Sequence, residues 1–100
     1  MDIQFTGHGI DLSANLKQFT TEKFSLLNHH IKNILSIHVT FSIEKLNHMV
    51  EATVHVTQDT VHASASSENI HTAIEEVVHK LDRQLIKHKE KIQSHRDHRD

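Results

Sequence analysis

Two stretches of strict alternation between apolar and polar residues constrain the fold of this chain more than any other feature. They cover residues 34–45 and 50–57, and each has the period of two that is typical of a half-buried β-strand. The residues that we predict to face inward are Leu35, Ile37, Val39, Phe41, Ile43, Val50, Ala52, Val54 and Val56. A third strand of small residues is predicted over 61–65, after a turn at 58–59 that lacks the glycine favoured in tight turns.

Two segments with helical periodicity can cover the apolar face of these strands. The first begins after the capping residue Ser13, ends at about His30 or Ile31, and has an apolar arc at 16, 19, 24, 27 and 31. The second follows three competing caps at 66, 67 and 69 and ends at about Ile92 or Gln93. Its apolar face consists of Ile70, Ile74, Val77, Val78, Leu81 and Leu85.

With a short first strand over 1–6, the predicted order is β-α-β-β-β-α. This order indicates an α+β fold in which a four-stranded sheet has both helices on one face and water on the other. It contains the α-β-β-β-α order of double-stranded-RNA-binding domains. We predict one domain over 1–93 and a flexible charged tail over 94–100.

The second helix also has a basic line separate from its apolar face. Residues 80–91 hold five Lys or Arg against two Asp or Glu, although the whole chain has a formal net charge of −2. Four of the cations fall within roughly 80° of arc at 100° per residue: Lys80, Arg83, Lys87 and Lys91, with Lys89 beside them. A local cationic patch of this kind can meet a polyanion even on an acidic chain.

Several function classes find little support in the sequence. No nucleophile is accompanied by a base and an oxyanion hole, so we predict no enzyme and no cofactor. The chain has no cysteine, and no apolar run is long enough to span a membrane. No secretory signal is visible. We therefore expect a cytoplasmic protein without membrane association, monomeric when free.

Twelve histidines allow two further hypotheses. If the hairpin turns lie at 46–47 and 58–59, His38, His55 and His62 form a row on the wet face and could bind zinc or nickel. We favour a polar sheet face that uses histidine, because no carboxylate or cysteine completes a tetrahedral set. The second hypothesis is charge gating, since histidine gains charge between pH 8 and pH 5, and His79 and His88 lie on the basic helix.

Four segments resemble the short form of the bacterial ribosome hibernation promoting factors, of the ribosome-associated inhibitor / sigma-54 modulation protein family. They are FTTEKF (19–24), IEKLNH (43–48), VEATVHVTQDTVHASASS (50–67) and AIEEVVHKLDRQLIKHKEK (73–91). The resemblance covers essentially the whole chain. It implies binding to ribosomal RNA of the small subunit, in the channel of messenger and transfer RNA, during stationary phase or stress.

The resemblance also implies the contacts and the partners. By position, the RNA-facing residues would be Lys23, Lys45, Lys80, Arg83, Lys87, Lys89 and Lys91. The protein would block translation without chemistry and would cooperate with a ribosome modulation factor to form inactive ribosome dimers. Two alternatives stay open: an inhibitor that does not promote dimers, and a generic double-stranded-RNA-binding module, which would bind free duplexes of many sequences.

Overall fold

The computed structural model describes the backbone of residues 2–29 and 33–99 and the side chains of residues 2–27 and 33–88. The strands are β1 (Asp2–His8), β2 (Ile34–Glu44), β3 (Asn47–Val56) and β4 (Asp59–Ser67). The helices are α1 (Ala14–Ser25) and α2 (Ile70–Arg99), and a short 3-10 helix (Leu26–His29) follows α1. The predicted order β-α-β-β-β-α is confirmed.

The four strands form one sheet in the order β1-β2-β3-β4. β1 runs parallel to β2, and the other two pairs are antiparallel. The alternating apolar residues of β2, β3 and β4 form one continuous core with Phe24, Leu27 and the apolar face of α2. Both helices therefore cover the same face of the sheet, as predicted.

The helix boundaries follow from their caps. The Ser13 hydroxyl accepts a hydrogen bond from the backbone N–H of Leu16 at 3.1 Å and so caps α1. Among the three candidate caps of α2, Asn69 is the one used, because its side chain accepts the N–H of His71 at 2.9 Å.

The ends of the helices differ from the prediction. The α-helical part of α1 ends at Ser25 and gives way to the 3-10 helix, and Ile31 lies outside the described residues. α2 continues to Arg99, beyond the predicted end at Ile92 or Gln93, because the segment contains no glycine or proline to stop it. The flexibility of residues 94–100 stays a prediction.

The strand predictions fail at two positions of β2 and at both hairpin turns. A β-bulge lies between Ile34 and Ser36, so Ile34 is buried while Leu35 is 60% exposed, contrary to prediction. Ile43, predicted to face inward, is 45% exposed near the end of β2. The turns lie one residue earlier than predicted, since Glu44 is opposite Asn47 and Val56 is opposite Asp59.

Within the described part of the chain, neither helix combines the length and the apolar character that crossing a membrane demands.

Candidate nucleic-acid interface

Helix α2 lies along the edge strand β4, and side chains one helical turn apart meet strand residues two or three positions apart. Four helical residues advance about 6 Å and two strand residues about 6.6 Å, so the two repeats nearly match. Two contacts follow this match: Lys80 Nζ to the Ser64 carbonyl at 2.7 Å, and Gln84 Nε2 to the His62 carbonyl at 2.7 Å. A third contact, His88 Nδ1 to Asp59 Oδ2 at 3.1 Å, lies four helical residues and three strand residues further on. Two outward carbonyls of the edge strand are therefore occupied by the chain's own donors.

A groove of about 450 Å³ runs between α2 and β4, and three cations line it. They are Lys80, Arg83 and Lys87, which the helical periodicity places on one side of α2. Arg83 and Lys87 are exposed and make no ion pair or hydrogen bond among the described residues. Lys80 is also exposed, and its bond to Ser64 uses one of the three donors of its ammonium group. The groove thus presents a short row of positive charge that can neutralise phosphates.

The other predicted contacts do not lie in this groove. Lys23 is on α1, and its Nζ lies 3.3 Å from Glu75 Oε2 and 5.5 Å from the centroid of the Phe19 ring. Lys45 occupies the β2–β3 turn with a positive φ of 58°, at the opposite end of the sheet from the β3–β4 turn. Lys89 and Lys91 lie outside the residues whose side chains are described. The structure therefore brings together three of the seven predicted residues.

A larger groove of about 540 Å³ lies on the opposite flank of α2, between α2 and the end of α1. Its floor includes Leu27 and Val78, and its rim includes Lys23 with the carboxylates of Glu75 and Asp82. Because the carboxylates offset the lysine, this groove does not offer a polyanion an excess of positive charge. The phosphate-binding potential lies on the β4 side of the helix.

The wet face of the sheet is polar, and its three central histidines each share a hydrogen bond with a threonine on a neighbouring strand. The pairs are His38 with Thr6 at 2.8 Å, His62 with Thr53 at 3.0 Å, and His55 with Thr60 at 3.1 Å. The predicted row, with His38 opposite His55 and His55 opposite His62, is wrong because both hairpin turns lie one residue earlier. Thr53 is instead opposite both His38 and His62. Among residues 2–27 and 33–88, no three His, Asp or Glu side chains are grouped as a metal ion would require.

Sequence reasoning missed four of the seven residues that line the groove, and among them are Gln84 and His62. Gln84 is polar and uncharged, so a search for cations passes over it, although it lies four residues after Lys80. His62 was considered only as a residue of the sheet face. Its place beside α2 depends on the alignment of the helix with the edge strand, which no local pattern in the sequence specifies.

Residues 3–93 match the model of the family described as Sigma 54 modulation protein / S30EA ribosomal protein. The chain is 43% identical over 91 residues to a ribosome hibernation promoting factor from Azotobacter vinelandii, an alignment that covers 91% of this chain and 85% of the relative. It is 36% identical over 95 residues to the factor of that name from Escherichia coli strain K12, covering 95% of this chain and 100% of the relative.

Solved structures agree with these sequence matches. A ribosomal subunit interface protein from Coxiella burnetii superposes with a TM-score of 0.85 and 36% identity, over 89% of this chain and 98% of that one. The N-terminal domain of Protein Y from Thermus thermophilus superposes with a TM-score of 0.80 over 84% of this chain and 94% of that one. At 19% identity, the second similarity concerns the fold alone.

Proposed function

This chain belongs to the Sigma 54 modulation protein / S30EA ribosomal protein family, and on that premise we propose that it is a ribosome hibernation factor. It binds the small ribosomal subunit in the channel of messenger and transfer RNA and blocks translation in stationary phase or stress. It acts by occupying a site, without catalysing a reaction. Relatives that carry the name ribosome hibernation promoting factor align over nearly the whole chain, which supports the proposal.

The observation that carries the RNA-binding part of the proposal is the groove between α2 and β4. Lys80, Arg83 and Lys87 line it together, and phosphates that enter it would release condensed counterions. Of the four phenylalanines, Phe24 and Phe41 are fully buried and Phe5 and Phe19 are partly buried. The chain has no Tyr or Trp, so recognition relies on RNA shape and backbone more than on base stacking.

The remaining predicted cations extend this surface in the proposal. Lys89 and Lys91 come two and four residues after Lys87 in α2, and in the proposal they add positive charge toward its C-terminal end. Lys23 and Lys45 are peripheral contacts, since they lie outside the groove. Removing the positive charges that line the groove should therefore weaken RNA binding more than removing Lys23 or Lys45.

The proposed partners are those that the resemblance to the short-form hibernation promoting factors implies. We propose that this protein cooperates with a ribosome modulation factor to form inactive ribosome dimers in the cytoplasm. The relatives named ribosome hibernation promoting factor support the hibernation role itself. Sedimentation of a stationary-phase lysate, with and without the protein, tests this step. A dimer peak that is unchanged or larger without the protein would favour the inhibitor that does not promote dimers.

Co-sedimentation with purified small subunits, in competition with initiator transfer RNA, tests the binding site. Lys87→Glu should bind several-fold more weakly than the unmodified protein, because it puts a negative charge into the phosphate groove. Lys17→Glu is the matched control, since Lys17 is exposed on α1 and the change in net charge is the same. Equal losses in the two variants would contradict the groove as the binding site. Binding to free RNA duplexes as strong as binding to subunits would instead indicate a generic double-stranded-RNA-binding module.

A further inference from the structure

The outer edge of strand β4 carries backbone groups that no other strand of the sheet pairs. In an antiparallel ladder, a residue turns both its N–H and its carbonyl either toward the neighbouring strand or away from it, and the two kinds of residue alternate. The carbonyls of His62 and Ser64 accept hydrogen bonds from side chains of α2, so these two residues face away from β3. Their N–H groups therefore also point outward from the sheet, toward α2.

The N–H of Ser64 is a donor beside a positive charge. Lys80 Nζ donates to the Ser64 carbonyl at 2.7 Å, and both residues line the groove of about 450 Å³. Among residues 2–27 and 33–88, the Ser64 N–H has no hydrogen-bond partner. Because the N–H and the carbonyl point the same way, an acceptor bound to the N–H would lie next to the ammonium group. That position favours an anionic oxygen.

We propose that the Ser64 N–H and the Lys80 ammonium group together bind one phosphate of ribosomal RNA in this groove. The inference rests on the proposed function and adds to it an uncharged backbone contact. Lys80 then has two tasks. One of its three donors covers the Ser64 carbonyl, which would repel a phosphate, and the other two are available to the phosphate itself. Arg83 and Lys87 supply the remaining positive charge of the groove.

The other outward N–H groups of β4 are less suited to this role. At His62, the carbonyl is covered by Gln84, which is neutral and whose amide also carries an oxygen, so an anion there gains no ionic contact. Thr60 already donates its N–H to Oδ1 of Asp59 at 2.7 Å. Ser66 faces outward by the same alternation, but it does not line the groove.

An exposed edge strand can also accept a further β-strand, and this alternative is disfavoured here. Strand addition needs the outward carbonyls as acceptors as well as the outward N–H groups as donors. The carbonyls of His62 and Ser64 are already occupied by Gln84 and Lys80. The edge of β4 beside α2 therefore presents donors, which suit an anion better than a peptide strand.

The carboxylates nearest to this position do not line the groove. Glu51 of β3 is opposite Ser64, but its neighbours on either side are buried in the core, so its side chain lies on the face of the sheet without helices. Glu76 lies one helical turn before Lys80 and lines a different surface depression. Within the described part of the chain, no carboxylate shares the groove with the Ser64 N–H.

Proline substitution tests the contact, because it removes a backbone N–H without changing the charge. Proline is tolerated on an edge strand where the N–H faces outward. Ser64→Pro should bind purified small subunits about tenfold more weakly, the effect of losing a hydrogen bond to a charged group. Ser66→Pro is the matched control and should bind like the unmodified protein, since Ser66 lies outside the groove. Equal affinities in the two variants would overturn the inference.

The salt dependence of binding distinguishes the N–H from the cations. Ser64→Pro should lower the affinity at every salt concentration and keep the slope of log K against log[salt], because no charge is lost. Lys80→Gln should lower the affinity and also reduce the slope by about 0.7–0.9. An unchanged slope in Lys80→Gln would remove Lys80 from the phosphate contact and overturn the inference.

A backbone ester decides the matter if the proline ring unfolds the protein or displaces Lys80. Chemical synthesis with an ester in place of the amide between Ala63 and Ser64 replaces the N–H by an oxygen and leaves the shape of the strand nearly unchanged. This protein should also lose affinity at constant slope, and full affinity would overturn the inference. If the unmodified protein does not bind small subunits, the proposed function fails together with the inference. Binding that the ester does not weaken would leave the proposed function standing and refute the Ser64 contact alone.

Discussion

Lys23 of α1 and Glu75 of α2 form an ion pair across the two helices, with 3.3 Å between Nζ and Oε2. The side chains are 35% and 55% exposed, and the ammonium group also lies 5.5 Å from the centroid of the Phe19 ring. Phe19 in turn makes an edge contact with His71 of α2, at 4.5 Å between ring centroids. These contacts hold α1 against α2, and they engage the positive charge of Lys23 within the protein.

Removing either partner of this ion pair should lower the free energy of unfolding by a similar small amount. An exposed ion pair contributes about 0–1 kcal/mol. The effects on ribosome binding should have opposite signs. Glu75→Gln should bind small subunits more tightly, because it removes a negative charge and frees Lys23, whereas Lys23→Gln should bind slightly more weakly. Urea denaturation measures the first effect and co-sedimentation the second.

The two measurements separate a peripheral RNA contact from a purely structural pair. If both variants lose affinity to the same degree, Lys23 acts only by holding the helices together. If Lys23→Gln weakens binding as much as Lys87→Glu does, the RNA surface is not centred on the groove between α2 and β4.

Arg83 should contribute to the salt dependence of ribosome binding. It lines the groove and makes no ion pair or hydrogen bond among the described residues, so it is available to a phosphate. Arg83→Gln should reduce the slope of log K against log[salt] by about 0.7–0.9, the contribution of one phosphate contact. Binding to small subunits measured at several salt concentrations gives this slope. Lys17→Gln should leave it unchanged, and equal slopes in the two variants would remove Arg83 from the interface.

The same substitution at two leucines should have very different effects on stability. Leu81 of α2 is fully buried, so Leu81→Ala should lower the free energy of unfolding by about 2–5 kcal/mol. Leu35 is 60% exposed, so Leu35→Ala should cost less than about 0.5 kcal/mol. Urea denaturation of both variants measures the difference. Similar losses would mean that Leu35 is packed inward, as its place in the alternating pattern had predicted.

The contrast between these leucines shows how far the sequence alone could predict the fold. The period of two and the period of 3.6 predicted the four strands, the two α-helices and their order, because each of these elements must bury one face. The pattern placed Leu35 inward because alternation assumes a regular strand. The bulge between Ile34 and Ser36 is a relationship between β2 and β3, and the local sequence does not contain it.

For the candidate site, too, the sequence predicted what lies within one element but not the contacts between elements. Helical periodicity alone places Lys80, Arg83 and Lys87 on one side of α2, and the groove contains all three. The pairing of Lys23 with Glu75 and the entry of His62 into the groove both depend on how separate elements pack. A single sequence gives the residues of each element, but it does not give the distance between two elements.

The β3–β4 turn gives the last prediction. The turn residues are Thr57 and Gln58, and Gln58 has a φ of 70°, in the left-handed region that favours glycine. A non-glycine residue there costs about 1–2 kcal/mol, part of which is offset by the greater freedom of glycine in the unfolded chain. Gln58→Gly should therefore raise the free energy of unfolding by about 0.5–1 kcal/mol, measured by urea denaturation.

Thr57→Gly is the control, because the φ of Thr57 is not positive and the substitution adds only the freedom of the unfolded chain. It should lower the free energy of unfolding by about 0.5–1 kcal/mol. If Thr57→Gly stabilised the protein and Gln58→Gly did not, the turn would lie in a different register from Val56 opposite Asp59. The alignment of His62 with α2 depends on that register, so the pair of variants also tests the geometry of the groove.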